Sequence, residues 1–334
     1  MNPNGQAHRI VRTLFYAVKP LIPRTAQLFL RRALMNRRRQ ACAQIWPIDP
    51  QAGDAPPQWK GWPDGKKFAL VLTHDVDTQA GHDKCRRLMQ AEEERGFRSS
   101  FTIVPERYNI SPELLKEMTA RGFEVAVHGL KHDGKLFSSR EVFLQKAACI
   151  NRYLKAWGAV GFRAPAMHHN LDWILDLDIE YDMSTFDVDP FEPQPDGMGT
   201  IFPFWVDGTA RGRKGYVELP YTLSQDFTPY ILFRDKDNGC WKRKLDWIVE
   251  KGGMALINVH PDYMGFDPLR LGREEYPAAF YTDWLDYIKS RYANQYWAVL
   301  PRDMARFIRS ETPRAQEKFI KPFATEEKPA CSLT

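Results

Sequence analysis

A chain of 334 residues with 43% hydrophobic side chains can bury a large core, which excludes a disordered or low-complexity protein. Charge interrupts every apolar stretch before about 18 residues, excluding a membrane-spanning helix, and five scattered cysteines exclude a disulfide framework or a close-spaced zinc knuckle. The net charge of +5 is uneven: residues 1–40 hold nine Lys or Arg and no acid, so the remainder carries −4 and nucleic acid is excluded as the partner of the main body.

No uninterrupted apolar run follows the first arginines, as a secretory signal would require, so the expected location is the cytoplasm. Residues 1–45 read as a basic amphipathic arm. Pro20 and Pro23 should break it into two short helices, with Leu28, Phe29, Leu30 and Leu34 on one face and Arg31, Arg32 and Arg37 to Arg39 on another. Such a segment, residues 11–40, suits an anionic membrane surface at the inner face of the membrane; the alternative is a helix packed on the main domain with a solvated basic edge. A Pro- and Gly-rich connector covers residues 46–65.

From residue 66 to about 310 strand-like and helix-like segments alternate. The spacing predicts strands over 68–73, 99–104, 123–127, 160–163, 179–183, 216–219, 254–259 and 297–300. Helical patterns fall over 83–95, 112–121, 140–157 and 241–251. Repeated β–α units imply a mainly parallel sheet, closed or nearly closed into a barrel. A polar tail, 311–334, follows.

In a β/α barrel, loops after the strands surround one mouth, so what ends each strand matters most. The first strand runs into Thr-His-Asp-Val-Asp, with Asp75 and Asp77. The third leads to His128 and His132, whose spacing of four suits two imidazoles on one face of a helical turn, facing the same cation. The fourth leads to Arg163-Ala-Pro and then His168 and His169, and the next segment supplies Asp182, Asp187 and Asp189. A late strand ends in His260-Pro261-Asp262. Two histidines and a carboxylate form a known type of divalent-metal site with open positions. The bland alternatives are turn or capping roles for Asp75 and Asp77, a structural ion pair for Arg163 and a loop position for His260.

The order of these motifs resembles the polysaccharide deacetylase family, also called the NodB-homology or carbohydrate esterase 4 family, over about residues 66–305. The resemblance implies a distorted (β/α)7 barrel and hydrolysis of an acyl group, usually acetyl, from an N-acylated sugar or glycan. It also implies one divalent metal ion: zinc is expected, with cobalt, manganese, iron or nickel as alternatives. Position by position, it makes Asp75 the general base, Asp77, His128 and His132 the metal ligands, Arg163 the holder of the base, and His260 the general acid. Asp187 would orient His260. The common first motif has Phe and adjacent carboxylates where this chain has His74 and Val76, so the roles of Asp75 and Asp77 could be exchanged. Val188 stands where an acetyl-pocket Trp is usual. His74, Tyr221 and Trp205 are secondary site candidates, with Phe191 and Tyr263 as further groove-wall aromatics. The basic arm suggests that the sugar is lipid-linked. The rival readings are a non-catalytic glycan-binding or scaffolding relative and an amide hydrolase for a small non-sugar substrate.

Overall fold

The apolar run from Phe68 to Leu72 opens β1 (Phe68–Val76), a strand buried along its whole length in the computed structural model, which describes residues 24–311. Burial on both faces is what a strand inside a parallel sheet requires. After it come α2 (Gln79–Glu93), β2 (Ser100–Ile103), α3 (Pro112–Ala120), β3 (Glu124–His128), α4 (Arg140–Trp157), β4 (Gly161–Arg163) and β5 (Tyr181–Asp182). Local signals fix the helix ends. The Ser111 and Ser139 hydroxyls accept from the N–H groups of Leu114 and Val142, and α4 stops at Gly158, whose left-handed backbone suits a residue without Cβ.

The second half holds β6 (Phe204–Val206), β7 (Tyr216–Glu218), a π-helical turn (Phe227–Leu232), α5 (Gly239–Lys251), β8 (Met254–Val259), β9 (Met264–Gly265), β10 (Tyr276–Pro277), α6 (Ala279–Arg291), β11 (Tyr296–Ala298) and α7 (Pro301–Glu311). In the main sheet β1, β2, β3, β4, β5 and β7 are parallel neighbours, and β8 and β11 also pair in parallel with β1. The gap between β7 and β8 is spanned by the bridge Leu223–Ile257 and by the N–H groups of Thr222 and Leu223, both donating to the Leu256 carbonyl. The ring thus closes as a distorted (β/α)7 barrel. β6, which carries the site candidate Trp205 and lies outside the predicted strands, is an antiparallel edge strand on β7. α6 and α7 also went unread, although both pack on the barrel: Trp284, Leu285 and Ile288 of α6 and Met304 and Ile308 of α7 lie in the main core.

Within the described residues the arm is one helix, α1 (Arg24–Ala41), and the expected break at Pro20 and Pro23 lies outside them. Its expected apolar face is divided. Leu28 and Met35, seven apart and so on one face, are its buried contacts, whereas Phe29, Leu30 and Leu34 stand exposed. Arg32 Nε donates to the Ile231 carbonyl at 2.8 Å, and Arg39 forks onto Asp235 at 2.8 and 3.0 Å, so part of the basic face is spent on docking to the barrel. The connector is packed too: Ala52 and Trp62 are buried, and the Trp62 indole N–H donates to the Gly252 carbonyl at 2.7 Å. Residues 1–23 and 312–334, which include the start of the arm and nearly all of the polar tail, lie outside the described residues. Among the described residues no helix is long and apolar enough to cross a membrane.

Candidate active site

Side chains alternate along a strand, so Thr73, Asp75 and Asp77 share one face of β1 and its end, while His74 takes the other. The first face looks into the barrel. There Asp75 Oδ1 accepts from Arg163 Nη1 at 3.0 Å and from the Thr102 hydroxyl of β2, and Oδ2 accepts from Asn258 Nδ2 of β8 at 2.8 Å. Burial alone would raise this acid. Arg163 above all, with His128 and His260, overcomes that and holds Asp75 well below the ordinary carboxylate range.

Arg163 is wholly buried, and its guanidinium is fully engaged. Nε donates to the Met183 carbonyl at 2.9 Å, Nη1 also to Asn258 Oδ1 at 2.8 Å, and Nη2 to Thr73 Oγ1 at 3.0 Å. Such a fork has one orientation only, so the direction of Asp75 is fixed by four strands at once.

Asp77 lies one pleat further on. Its Oδ1 is 3.3 Å from His128 Nε2 and 3.2 Å from His132 Nε2. The two rings do not share a helical turn, as their spacing suggested. His128 ends β3, and His132 belongs to a loop that doubles back through left-handed backbone at Gly129 (φ 59°) and at His132 itself (φ 52°). Gly129 is doubly required, because a Cβ there would sit 2.5 Å from Pro165 Cδ. A non-glycine residue in that region costs of order 1 kcal/mol and is kept where surrounding structure demands it.

The donor set fits a divalent cation. His128 Nδ1 sits 3.0 Å from the Arg163 carbonyl; donating its proton there leaves Nε2 as a lone pair. Asp77 Oδ1 is buried and has no hydrogen-bond donor. One ligand atom from each of Asp77, His128 and His132 lies within 4.8 Å of the others, so three lone pairs converge on one point with open positions beside it. The carboxylate among the imidazoles is Asp77, and the one under Arg163 is Asp75.

His260 follows β8 on the opposite side. Its Nε2 is 3.8 Å from Asp75 Oδ2, and its Nδ1 lies 2.7 Å from Asp226 Oδ1. Asp226 Oδ2 accepts from the His260 backbone N–H at 2.8 Å and from the Tyr276 hydroxyl at 3.0 Å. Burial would strip the proton from this imidazole, but Asp226, reinforced by Asp77 and Asp75, raises its pKa to about 10. The orienting carboxylate is therefore Asp226, not Asp187. Asp187 is paired with Lys244 in the interior, and burial still pushes it up to about 6.

The secondary candidates fall outside the cleft. His74 is buried behind β1, with Nε2 2.8 Å from Glu92 Oε1 of α2, where the Tyr281 and Ser99 hydroxyls also donate. Tyr221 is buried and donates to Asp189 and Glu192; Phe191 is buried beside Trp46 and Phe233. Trp205 sits half-buried on the edge strand against the core. Tyr263 does reach the site, its ring 5.1 Å from that of His260. His169 is buried with Nδ1 2.9 Å from the Met167 carbonyl, and His168 borders a small cleft beside His132. Sequence reasoning missed Thr102, Asp226 and Asn258. Asn258 carried a signal, since two residues before His260 on a strand means the same face; Asp226 carried none.

Comparison with protein-family models and with curated proteins finds no match. Among solved structures, a Mycobacterium smegmatis protein designated a polysaccharide deacetylase is 21% identical, with 78% of this chain and 96% of that one aligned at a TM-score of 0.57. An allantoinase is 16% identical, with 80% and 99% aligned at 0.56. A Pseudomonas aeruginosa protein, also designated a polysaccharide deacetylase, is 18% identical, with 75% and 94% aligned at 0.54. At these identities the likeness shows the fold: the barrel is of the NodB-homology type that the motif order led one to expect.

Proposed function

We propose that the protein is a metal-dependent deacylase that removes an acyl group, in the first instance acetyl, from an N-acylated sugar carried on a lipid, during assembly of a cell-envelope glycan at the inner face of the membrane. The observation that carries this reading is the opposition, across one small space, of a vacant-valence ligand trio, an oriented carboxylate and a cationic imidazole. Asp77, His128 and His132 would hold the ion, zinc or another first-row dication. Bound there, a dication supplies acidification of water and polarisation of a carbonyl oxygen.

The chain's own groups do the rest. Asp75 is ionised at any physiological pH, and its Oδ2 accepts one hydrogen bond, from Asn258, which leaves lone-pair capacity toward the cleft for a proton. So weak a base needs an acidic proton donor, and Arg163 keeps it aimed at one place. His260, protonated through Asp226, presents Nε2–H to the leaving nitrogen, which departs as a neutral amine. A small non-sugar amide is the second reading, favoured by the likeness to an allantoinase fold.

Purified protein loaded with zinc should release acetate from N-acetylated, lipid-linked sugars. Asp75→Asn should lower turnover by about 100- to 10,000-fold while metal binding by calorimetry stays intact. Release from small ureides or amides but not sugars would favour the second reading. Metal and glycan binding without turnover of any of these would favour the non-catalytic relative instead.

A further inference from the structure

Among the described residues seven large apolar side chains stand exposed, and five of them come from two segments: Phe29, Leu30 and Leu34 of α1, and Leu269 and Leu271 in the loop between β9 and β10. Single exposed apolar residues are ordinary, but a concentration marks a contact surface. The two segments are neighbours through a short chain of contacts. Arg32 of α1 bonds the Ile231 carbonyl, the adjacent Tyr230 ring lies 4.5 Å from that of Tyr276, and Tyr276 closes the loop. Arg32 also lies within electrostatic reach of Glu274, near the loop's end.

Both apolar tips are interleaved with cations. Arg31 and Arg37 are exposed beside the α1 row, and Arg270 and Arg273 are exposed beside the two leucines; of the loop's three acids, Glu275 is paired with Lys84, Glu274 lies within reach of Arg32, and Asp267 accepts from the Leu269 N–H. We infer that α1 and the 266–275 loop form one docking face for an anionic phospholipid bilayer, the leucines and Phe29 entering the headgroup boundary and the arginines meeting lipid phosphates. An amphipathic helix with a basic margin lies in that boundary region, where each cation near an anionic surface adds about 1 kcal/mol. A second copy of this chain fits less well, because a two-fold contact would bring arginine-rich margins against each other.

The face adjoins the acid side of the cleft. The Arg31 guanidinium lies 4.9 Å over the Phe227 ring, Phe227 is 5.1 Å from Tyr263, and Tyr263 is 5.1 Å from His260. Docked this way, the mouth meets a sugar held just above the headgroups. That consequence rests on the deacylase reading; the docking itself does not.

The test is flotation of the full chain with vesicles of phosphatidylcholine alone or mixed with phosphatidylserine. Wild type should partition onto the mixed vesicles, barely onto the neutral ones, and be released by salt. Leu269→Ser with Leu271→Ser, which leaves α1 intact, should lower partitioning by about tenfold per leucine, with melting temperature and oligomeric state unchanged. Arg270→Gln and Arg273→Gln should each lower it by about fivefold. Wild-type partitioning of the double-leucine variant, equal binding to neutral vesicles, or self-association lost in that variant without any vesicle binding would each overturn the inference. No substrate enters the assay, so its failure leaves the deacylase reading standing, and a protein that floats but turns over no acetylated sugar counts against that reading alone.

Discussion

Replacing Asp226 with Asn tests whether a buried carboxylate sets the charge of His260. The Asn side chain keeps a carbonyl oxygen for the Nδ1–H, and its amide can donate to a turned Tyr276 hydroxyl, but the His260 backbone N–H loses its acceptor; that loss costs about 1–3 kcal/mol of stability and does not depend on the charge of the ring. What disappears is the negative charge. With Asp226 the imidazole titrates near 10; without it, burial works against the proton and the value should fall to about 6.5 or lower. That span corresponds to about 5 kcal/mol of preference for the cation. A dication on Asp77 offsets part of the wild-type elevation, so the alkaline limb of the holoenzyme should lie somewhat below 10. In the variant only about 3% of His260 would be protonated at pH 8, giving about a 30-fold loss of kcat/KM that nearly vanishes at pH 6. The profile of kcat/KM against pH, with an NMR titration of the His260 ring, measures this. A variant with an unmoved alkaline limb, or with the same fractional loss at pH 6 as at pH 8, would show that Asp226 does not control the proton. Stability follows the same sign: the raised pKa contributes stability fully below about 6.5, and that contribution is lost as pH rises through about 10.

Three other outcomes follow from the same geometry. Arg163→Met leaves Asp75 charged and unpaired in the interior, which should cost about 3–5 kcal/mol in urea unfolding, more than any surface charge change. His128→Ala should abolish the thermal stabilisation by zinc, which for wild type at a hundredfold excess over Kd is about 2.7 kcal/mol; a retained shift would place the ion elsewhere. Asp182 and Glu218 share a hydrogen bond in the interior, and burial raises both, Glu218 the further. The folded pair keeps a proton that the unfolded chain has released, so wild-type stability should fall as pH rises above the ordinary carboxylate range. Glu218→Gln replaces that proton with an amide N–H. Its stability relative to wild type should therefore improve by up to about 1.4 kcal/mol per pH unit between pH 5 and 8; parallel curves would refute the shared proton.

The barrel was legible because each parallel strand is a short apolar run closed by a polar cluster, and all eight predicted strand segments overlap an observed strand. The positions that matter most in the cleft were legible because they sit at strand ends, where β1, β3, β4 and β8 stop. What escaped has physical reasons. Asp226 precedes a π-helical turn that no periodicity announces, and it reaches His260 across 34 residues of sequence. Asp187 misled because an acid in an Asp-rich loop gives no sign that Lys244, 57 residues on, neutralises it. His74 misled by adjacency alone: next to Asp75 in sequence, it is on the far side of the strand and serves the packing of α2. The aromatic α6 hid because the half-buried Phe280 and Tyr287 widen its apolar band beyond the buried Tyr281, Trp284, Leu285 and Ile288 and so blur its period.

That far side gives β1 two inheritances in nine residues. Odd-numbered positions from Thr73 face the cleft, and His74 ties the scaffold to Glu92. Insertion or loss of a single residue there would swap the two sets wholesale, sending imidazole into the cleft and carboxylates into the helix packing. A change in the length of this strand would therefore disturb the cleft and the helix packing together, whereas a change of one side chain touches only one of the two.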